Sequence, residues 1–232
     1  MKSDLRIIGV LMAKNEETFI PELLDQMKVF CDETLVLDGG STDQTVSIAL
    51  KKGARCRLED KADGFHEGRA RRYLHYWAAE YKPDWIFAPD ADDIFIPDDL
   101  PKIREIVKLA DSQGINVVQF PYRYLWGDRE HYRVDGHYGN LVASKLFRYV
   151  YEMPPLNREV HVVPAAAELF QPGKNIVVDV PLLHLGYMFT ELRQQKYEYN
   201  SKRWPVGSDG WKASGSPDYE HILGKVVEIE TL

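Results

Sequence analysis

Four consecutive residues, Asp90-Ala91-Asp92-Asp93, carry the clearest chemical capacity in the chain, and they follow an apolar run, Trp85-Ile86-Phe87-Ala88. In an extended segment residues i and i+2 point to the same side, so Asp90 and Asp92 can converge on one hard cation through carboxylate oxygens. The plainer reading is a solvated acidic turn or a helix cap. His184 is a second candidate, inside the apolar run Pro181-Leu182-Leu183-His184-Leu185. An imidazole among aliphatic neighbours must find a hydrogen-bond partner or a metal.

The elements that position these groups read as helices packed on a largely parallel sheet, because short β-branched runs alternate with amphipathic stretches. Residues 5–12 and 34–37 read as strands, each followed by a polar turn, and residues 55–58 as a third. Ile20, Leu23, Leu24 and Met27 recur at helical spacing, Ser41-Thr42-Asp43 offer capping oxygens, and Gly53 closes the helix they open. A helix over 68–81, a strand over 85–88, a helix from Asp98 to about Leu109 and a strand over 115–122 complete the first half. Residues 123–161 are rich in Tyr, Arg, His and Gly with weak periodicity, which predicts long loops and short strands, and such loops tend to carry function. Strand-like runs return at 176–180 and 182–185, Thr190 caps a helix to Trp204, and Gly207 to Pro217 reads as a linker.

Composition narrows the classes. The 232 residues carry 29 Lys+Arg against 36 Asp+Glu, a net charge of −7, which disfavours a sequence-independent grip on nucleic acid. Two cysteines exclude a disulfide scaffold and point to a reducing compartment. No apolar run is long enough to span a membrane, and the start of the chain does not read as a signal peptide, so a soluble cytoplasmic protein is expected. The G-x-S-x-G elbow, the G-x-x-x-x-G-K-[ST] loop and paired Cys ligands are absent, and His66-Glu67-Gly68-Arg69-Ala70 lacks the second His of a zincin.

Four segments come in an ordered series: Ala13-Lys14-Asn15-Glu16-Glu17, then Asp38-Gly39-Gly40-Ser41-Thr42-Asp43-Gln44-Thr45, then Gly68-Arg69-Ala70-Arg71, then Asp90-Ala91-Asp92-Asp93. This series resembles glycosyltransferase family 2, nucleotide-sugar enzymes of the GT-A fold. The resemblance covers about the first 95 residues. It implies an α/β chain with a Rossmann-like mixed sheet and helices on both faces. One domain would span 1–205, with 1–95 binding the nucleotide sugar, 96–205 supplying acceptor-side loops, and 206–232 forming a linker and tail or lid.

By position, the resemblance puts Ala13, Asn15 and Glu16 in the nucleoside pocket and Asp38 against the base or ribose. The chemistry agrees, since a short carboxylate at a strand end accepts from such groups and Gly39-Gly40 permits a close approach; the plainer reading of Asp38 is a simple turn former. Arg71 would reach a phosphate or organise the aspartates. Asp90, Ala91 and Asp92 would meet the diphosphate, with Asp90, Asp92 and His184 on the metal, Mn2+ or Mg2+. The cation would neutralise the leaving nucleoside diphosphate.

Inverting transfer also needs a general base. Related enzymes carry a His-Glu pair after an L-F-R strand; here Lys145-Leu146-Phe147-Arg148 precedes Asn157-Arg158-Glu159-Val160-His161, with Glu and His in the opposite order. Glu159 is the first choice, with Asp135 or His161 as alternatives, and an ion pair of Glu159 with Arg158 or Arg148 competes with that role. Aromatic residues interleaved with polar ones from Tyr122 to Tyr138 offer a stacking surface for a sugar or acceptor. The expected reaction is transfer of a hexose or pentose from a nucleoside-diphosphate sugar, a UDP-sugar favoured. The acceptor could be a glycan, a lipid-linked sugar, a peptide or a modified nucleobase, and oligomeric state is open. The alternatives are a sugar-phosphate nucleotidylyltransferase, which would want a Gly-rich basic loop after the first strand, and a non-catalytic nucleotide- or carbohydrate-binding module.

Overall fold

The computed structural model describes residues 5–59, 66–152, 163–203 and 229–232. The chain runs β1 (Ile7–Ala13), α1 (Ile20–Phe30), β2 (Glu33–Asp38), α2 (Thr45–Lys51), β3 (Arg55–Leu58), α3 (Glu67–Ala79), β4 (Trp85–Phe87), β5 (Asp93–Phe95), α4 (Leu100–Ser112), β6 (Val117–Tyr124), β7 (His131–Arg133), β8 (Val142–Arg148), β9 (Asn175–Val177), β10 (Leu182–His184), α5 (Thr190–Arg203) and β11 (Ile229–Thr231). Nine of these strands form one mixed sheet in the order β3-β2-β1-β4-β8-β6-β10-β5, with β9 beside β6.

β1 is apolar along its length because it is central, paired in parallel with β2 and β4 and covered on both faces. Ile7 and Leu11 share a core with Leu23, Leu24 and Met27 of α1, Ala49 of α2 and Ile103 and Val107 of α4. Ile8 and Val10 share a second core with Leu74, Trp77 and Ala78 of α3. The helices therefore lie on both faces of the sheet, as expected for an α/β chain of this pattern.

Two features bring the site together. β6 changes neighbours along its length: Val117–Gln119 pair with β9, while Tyr122–Tyr124 pair with β10, with a register shift against β8 between Val118 and Phe120. Such a shift bends and twists a strand, and β10 follows β6 to place His184 beside β5. β5 lies at the end of the sheet, and the buried Gln26 of α1 pairs with its open backbone, donating Nε2 to Phe95 O (2.9 Å) and accepting from Phe95 N (2.8 Å). That pair of hydrogen bonds satisfies an edge strand and fixes the segment that begins at Asp93.

The structure changes the geometry expected at the aspartates. Asp90-Ala91-Asp92 is a turn rather than an extended run, with Asp93 N donating to Asp90 O at 3.1 Å as the chain passes from β4 into β5. The side chains of Asp90 and Asp92 consequently meet different partners. The linker expected over 207–217 lies outside the described residues, as does most of the 206–232 tail or lid, whereas residues 229–231 dock as β11, pairing antiparallel with β7. Among the described residues, no helix is long and apolar enough to cross a membrane.

Candidate functional site

The turns after β1 and β2 are laced together by reciprocal bonds. Asn15 N donates to Ser41 Oγ (3.0 Å) and Thr42 N donates to Asn15 Oδ1 (2.8 Å). Glu16 N donates to Thr45 Oγ1 (2.7 Å), Glu17 N to Asp43 Oδ2 (3.1 Å), and Gln44 N to Glu17 Oε2 (2.9 Å). Asn15 holds a left-handed backbone, φ 57°, a conformation that asparagine tolerates better than most residues. Asp38 is buried and accepts from Gly40 N, Ser41 N and Ser41 Oγ, so its carboxylate builds the turn in which Gly40 takes φ 76°. Asp43 Oδ1 accepts from Thr45 N, the first residue of α2, but the N-cap is Gln44, which makes no side-chain cap bond, so the cap expected of Ser41-Thr42-Asp43 is replaced by this tight turn. Ala13 is buried in the core, and its carbonyl accepts from Gly39 N. The net effect is to hold the Glu16 carboxyl in a cleft of about 320 Å³ that it lines with Asn15, Asp92, Gly186 and Lys196.

The aspartate turn divides its charges. Asp90 takes the Lys145 ammonium on Oδ2 (2.7 Å) and the Arg71 guanidinium on Oδ1 (3.3 Å), while Arg71 also bonds Glu67 Oε1 (2.7 Å). Desolvation works against the Asp90 charge, and Lys145 and Arg71 outweigh it, holding the carboxyl well below the usual carboxylate range. Ala91 packs in the core. Asp92, Asp93 and His184 come together, with one potential ligand atom from each lying within 4.8 Å of the others. Burial opposes the charge on Asp92, and His184 and Lys196 reverse that and lower its pKa.

Within this group Asp93 is the most enclosed, with no exposed surface. Its Oδ1 accepts from Tyr122 Oη (2.7 Å) and meets His184 Nδ1 (3.1 Å), and its Oδ2 accepts from Asp90 N (2.8 Å). A carboxylate on Nδ1 places the proton there and leaves the Nε2 lone pair for the cleft, the arrangement by which carboxylates orient metal-binding histidines. The chain also leaves room at that point: a Cβ on Gly186 would lie 2.2 Å from Asp92 Oδ2 and 3.0 Å from His184 Nε2. An oxygen and an imidazole nitrogen facing one small space suit Mn2+ or Mg2+, the nitrogen favouring Mn2+.

The aromatic stretch packs largely on itself and on the imidazole. The Tyr124 ring lies 4.7 Å from His184, 5.0 Å from Tyr138 and 5.2 Å from Tyr187, walling the histidine from solvent. Trp126 is flanked by Arg133 (4.8 Å) and Arg193 (4.1 Å). Asp135 is paired with Arg133, Nη2 to Oδ2 at 2.7 Å. Glu159 and His161 lie outside the described residues. A further cavity, about 160 Å³, opens at the ends of β2 and β3, lined by Leu37, Leu58, Glu59, Arg69, Ala70 and Tyr73.

Lys145, Gly186 and Lys196 are not singled out as site residues by the sequence reasoning, and Tyr122 enters it as part of a stacking surface rather than as a partner of Asp93. Lys145 carried a usable signal, because it is a lysine among Ala143, Leu146 and Phe147, all buried, the same anomaly that marks His184. Lys196 carried none: α5 is polar along most of its length, and nothing separates this lysine from its neighbours.

Over 198 residues the chain is 26% identical to the SPbeta prophage-derived glycosyltransferase SunS of Bacillus subtilis, covering 80% of this chain and 41% of that protein. Over 154 residues it is 28% identical to a TPR repeat-containing protein of Synechococcus elongatus, covering 62% of this chain and 37% of that one. The chain thus spans about two fifths of the length of these curated relatives. A crystal structure of glucosyl-3-phosphoglycerate synthase from Mycobacterium tuberculosis, in complex with Mn2+, UDP and glucosyl-3-phosphoglycerate, aligns with 53% of this chain and 46% of its own at 30% identity, with a TM-score of 0.42. Residues 10–177 match the family model of Glycosyl transferase family 2, a stretch that takes in both laced turns, Arg71 and the whole aspartate turn, and the chain belongs to that family.

Proposed function

We propose that this chain is the donor-binding and catalytic unit of a metal-dependent, inverting glycosyltransferase that moves a hexose or pentose from a nucleoside diphosphate to an acceptor hydroxyl. The observation that carries this reading is the convergence of Asp92 and His184 on one space above Gly186, with Asp93 orienting the imidazole. Asp92 and His184 would hold Mn2+ or Mg2+. When bound, the cation supplies Lewis-acid neutralisation of the charge that builds on the leaving diphosphate.

The remaining roles follow from what each residue touches. Lys145 and Arg71 fix Asp90 and keep it ionised at the lip of the site. Asn15, Asp38 and Gly40 shape the two laced turns, and the nucleoside extends from the metal toward them and the cavity at the ends of β2 and β3. A UDP-sugar is the favoured donor, supported by the family and by the UDP and Mn2+ present in the mycobacterial synthase structure. Glu159 is the first choice for the base that removes the acceptor proton; Asp135 would have to leave Arg133 to serve.

A thermal-shift panel of UDP, GDP, dTDP and CDP, each with and without Mn2+, tests this on the wild type and on Asp92→Ala. One nucleotide should stabilise the wild type in a Mn2+-dependent way, and Asp92→Ala should abolish the dependence. No stabilisation by any nucleotide would remove the donor site. Transfer or hydrolysis with the corresponding sugar nucleotide then separates an enzyme from a binding module.

A further inference from the structure

A cation of the chain's own already stands where Asp92 and His184 converge. Lys196, in the second turn of α5, brings Nζ to 3.2 Å from Asp92 Oδ2 and 3.5 Å from His184 Nε2, with the Tyr187 ring 4.7 Å away. A Cβ built on Gly186 would lie 2.2 Å from both Nζ and Asp92 Oδ2, so the ammonium fills the space that the missing side chain leaves open. The atoms it meets are those assigned above to the metal. An ammonium and a divalent cation cannot share them, since like charges at that separation repel and the space holds one ion.

Lysine can give way. Its side chain is 36% exposed at the edge of the cleft, and a flexible four-carbon stem lets the ammonium swing out by rotamer change alone. A phosphate oxygen is the natural partner for a strongly hydrated point charge leaving Asp92. We propose that Lys196 holds the metal position in the ligand-free chain and, on giving it up, pairs with the donor diphosphate. This inference rests on the metal-and-nucleotide reading above and adds a residue and a coupling to it.

Two consequences follow. Metal binding without nucleotide must strip Lys196 from Asp92 and His184 with no phosphate to receive it, so Lys196 weakens the binding of metal alone. A diphosphate relieves that cost, so each ligand raises the affinity for the other by the same factor, and part of that factor passes through Lys196.

Isothermal titration of Mn2+ alone, of UDP alone, and of Mn2+ with UDP present tests this on wild type, Lys196→Met, Lys196→Arg and Asp92→Ala, with thermal unfolding as a check on folding. GDP, dTDP or CDP replaces UDP if the panel selects it. Lys196→Met should bind Mn2+ alone about tenfold more tightly than wild type and lose most of the mutual enhancement with the nucleotide, within the range of ordinary site coupling. Without ligands it should also unfold at a lower temperature and recover more on Mn2+ addition, because Asp92 has lost a partner. Lys196→Arg keeps a cation in place and should follow the wild type. Mn2+ binding that Asp92→Ala abolishes but that Lys196→Met leaves equal or weaker would overturn the role of Lys196 alone. Absence of any Mn2+ binding sensitive to Asp92→Ala would overturn the metal site, and this proposal with it.

Discussion

Asp93 and His184 face each other in register across the antiparallel pair of β5 and β10, and Asp93 Oδ1 lies 3.1 Å from His184 Nδ1. The pairing is built by backbone hydrogen bonding, so the imidazole is aimed by the sheet and not by a loop. Tyr122, in the neighbouring β6 and in register with Leu182, closes the arrangement by donating to the same Asp93 oxygen.

Asp93→Asn tests that relationship. The amide keeps the shape but presents a donor where Asp93 Oδ1 or Oδ2 now accepts, leaving His184 Nδ1, Tyr122 Oη or Asp90 N without an acceptor. Removing a carboxylate that orients a ligating histidine typically costs 10- to 100-fold in metal affinity, and about that loss is expected in Mn2+ titrations. An unchanged affinity would show that Asp93 does not orient the imidazole.

Gly186→Ala separates space from charge. The new methyl would overlap Asp92 Oδ2 and Lys196 Nζ. The lysine can move away, but Asp92 must rotate, so the variant should fold with a small change in melting temperature while its Mn2+-dependent response to nucleotide falls at least about tenfold, a coupling of ordinary size. Circular-dichroism melts and the thermal-shift panel read the two effects separately. Loss of folding without Mn2+ sensitivity would place the role of Gly186 in the core.

Thr45→Val removes the hydroxyl that accepts from Glu16 N while keeping the buried volume close to that of threonine. An unpaired buried amide costs about 1–3 kcal/mol, and that loss should appear as a lowered urea midpoint with an unchanged slope. The turn after β1 would then lose its tie to α2, so nucleotide affinity should fall as well.

Much of this site could be read in advance because its motifs do structural work that constrains residue type. Asn15, Ser41, Asp43 and Thr45 are each small and polar because each donates or accepts across two turns only a few ångströms apart. His184 was legible as a polar residue in an apolar run. At Asp90-Ala91-Asp92 the sequence leaves both an extended run and an acidic turn open, and the choice is made by β5, a strand of three residues held by a glutamine distant in sequence. Strands that short carry too little alternation to locate, so the short strands expected within 123–161 could not be placed, and β7 at His131–Arg133 is one of them. Lys196 needed the tertiary fold, because its partner Asp92 lies 104 residues away in the chain, and Lys145, although anomalous in its apolar strand, needed it to show that its partner is Asp90, 55 residues away.

Glu16 gives the chain a pH signature. Burial first, and Asp92 next, push its carboxyl from 4.5 up to about 8, against the pull of Lys196. Between those values the folded, metal-free chain holds a proton on Glu16 that the unfolded chain has released. Unfolding then releases a proton, so this group's contribution makes stability fall as pH rises through the window, and the loss is complete above the folded value. Glu16→Gln keeps a neutral side chain at every pH and removes this pH dependence. The unfolding free energy of Glu16→Gln minus that of wild type should therefore climb with pH between about 5 and about 8 and flatten above, measured by urea titration in the presence of a chelator. Parallel pH profiles for the two proteins would mean that Glu16 is ionised in the folded chain at neutral pH. In that case its carboxylate, beside Asp92, would be a further negative group for Lys196 to neutralise.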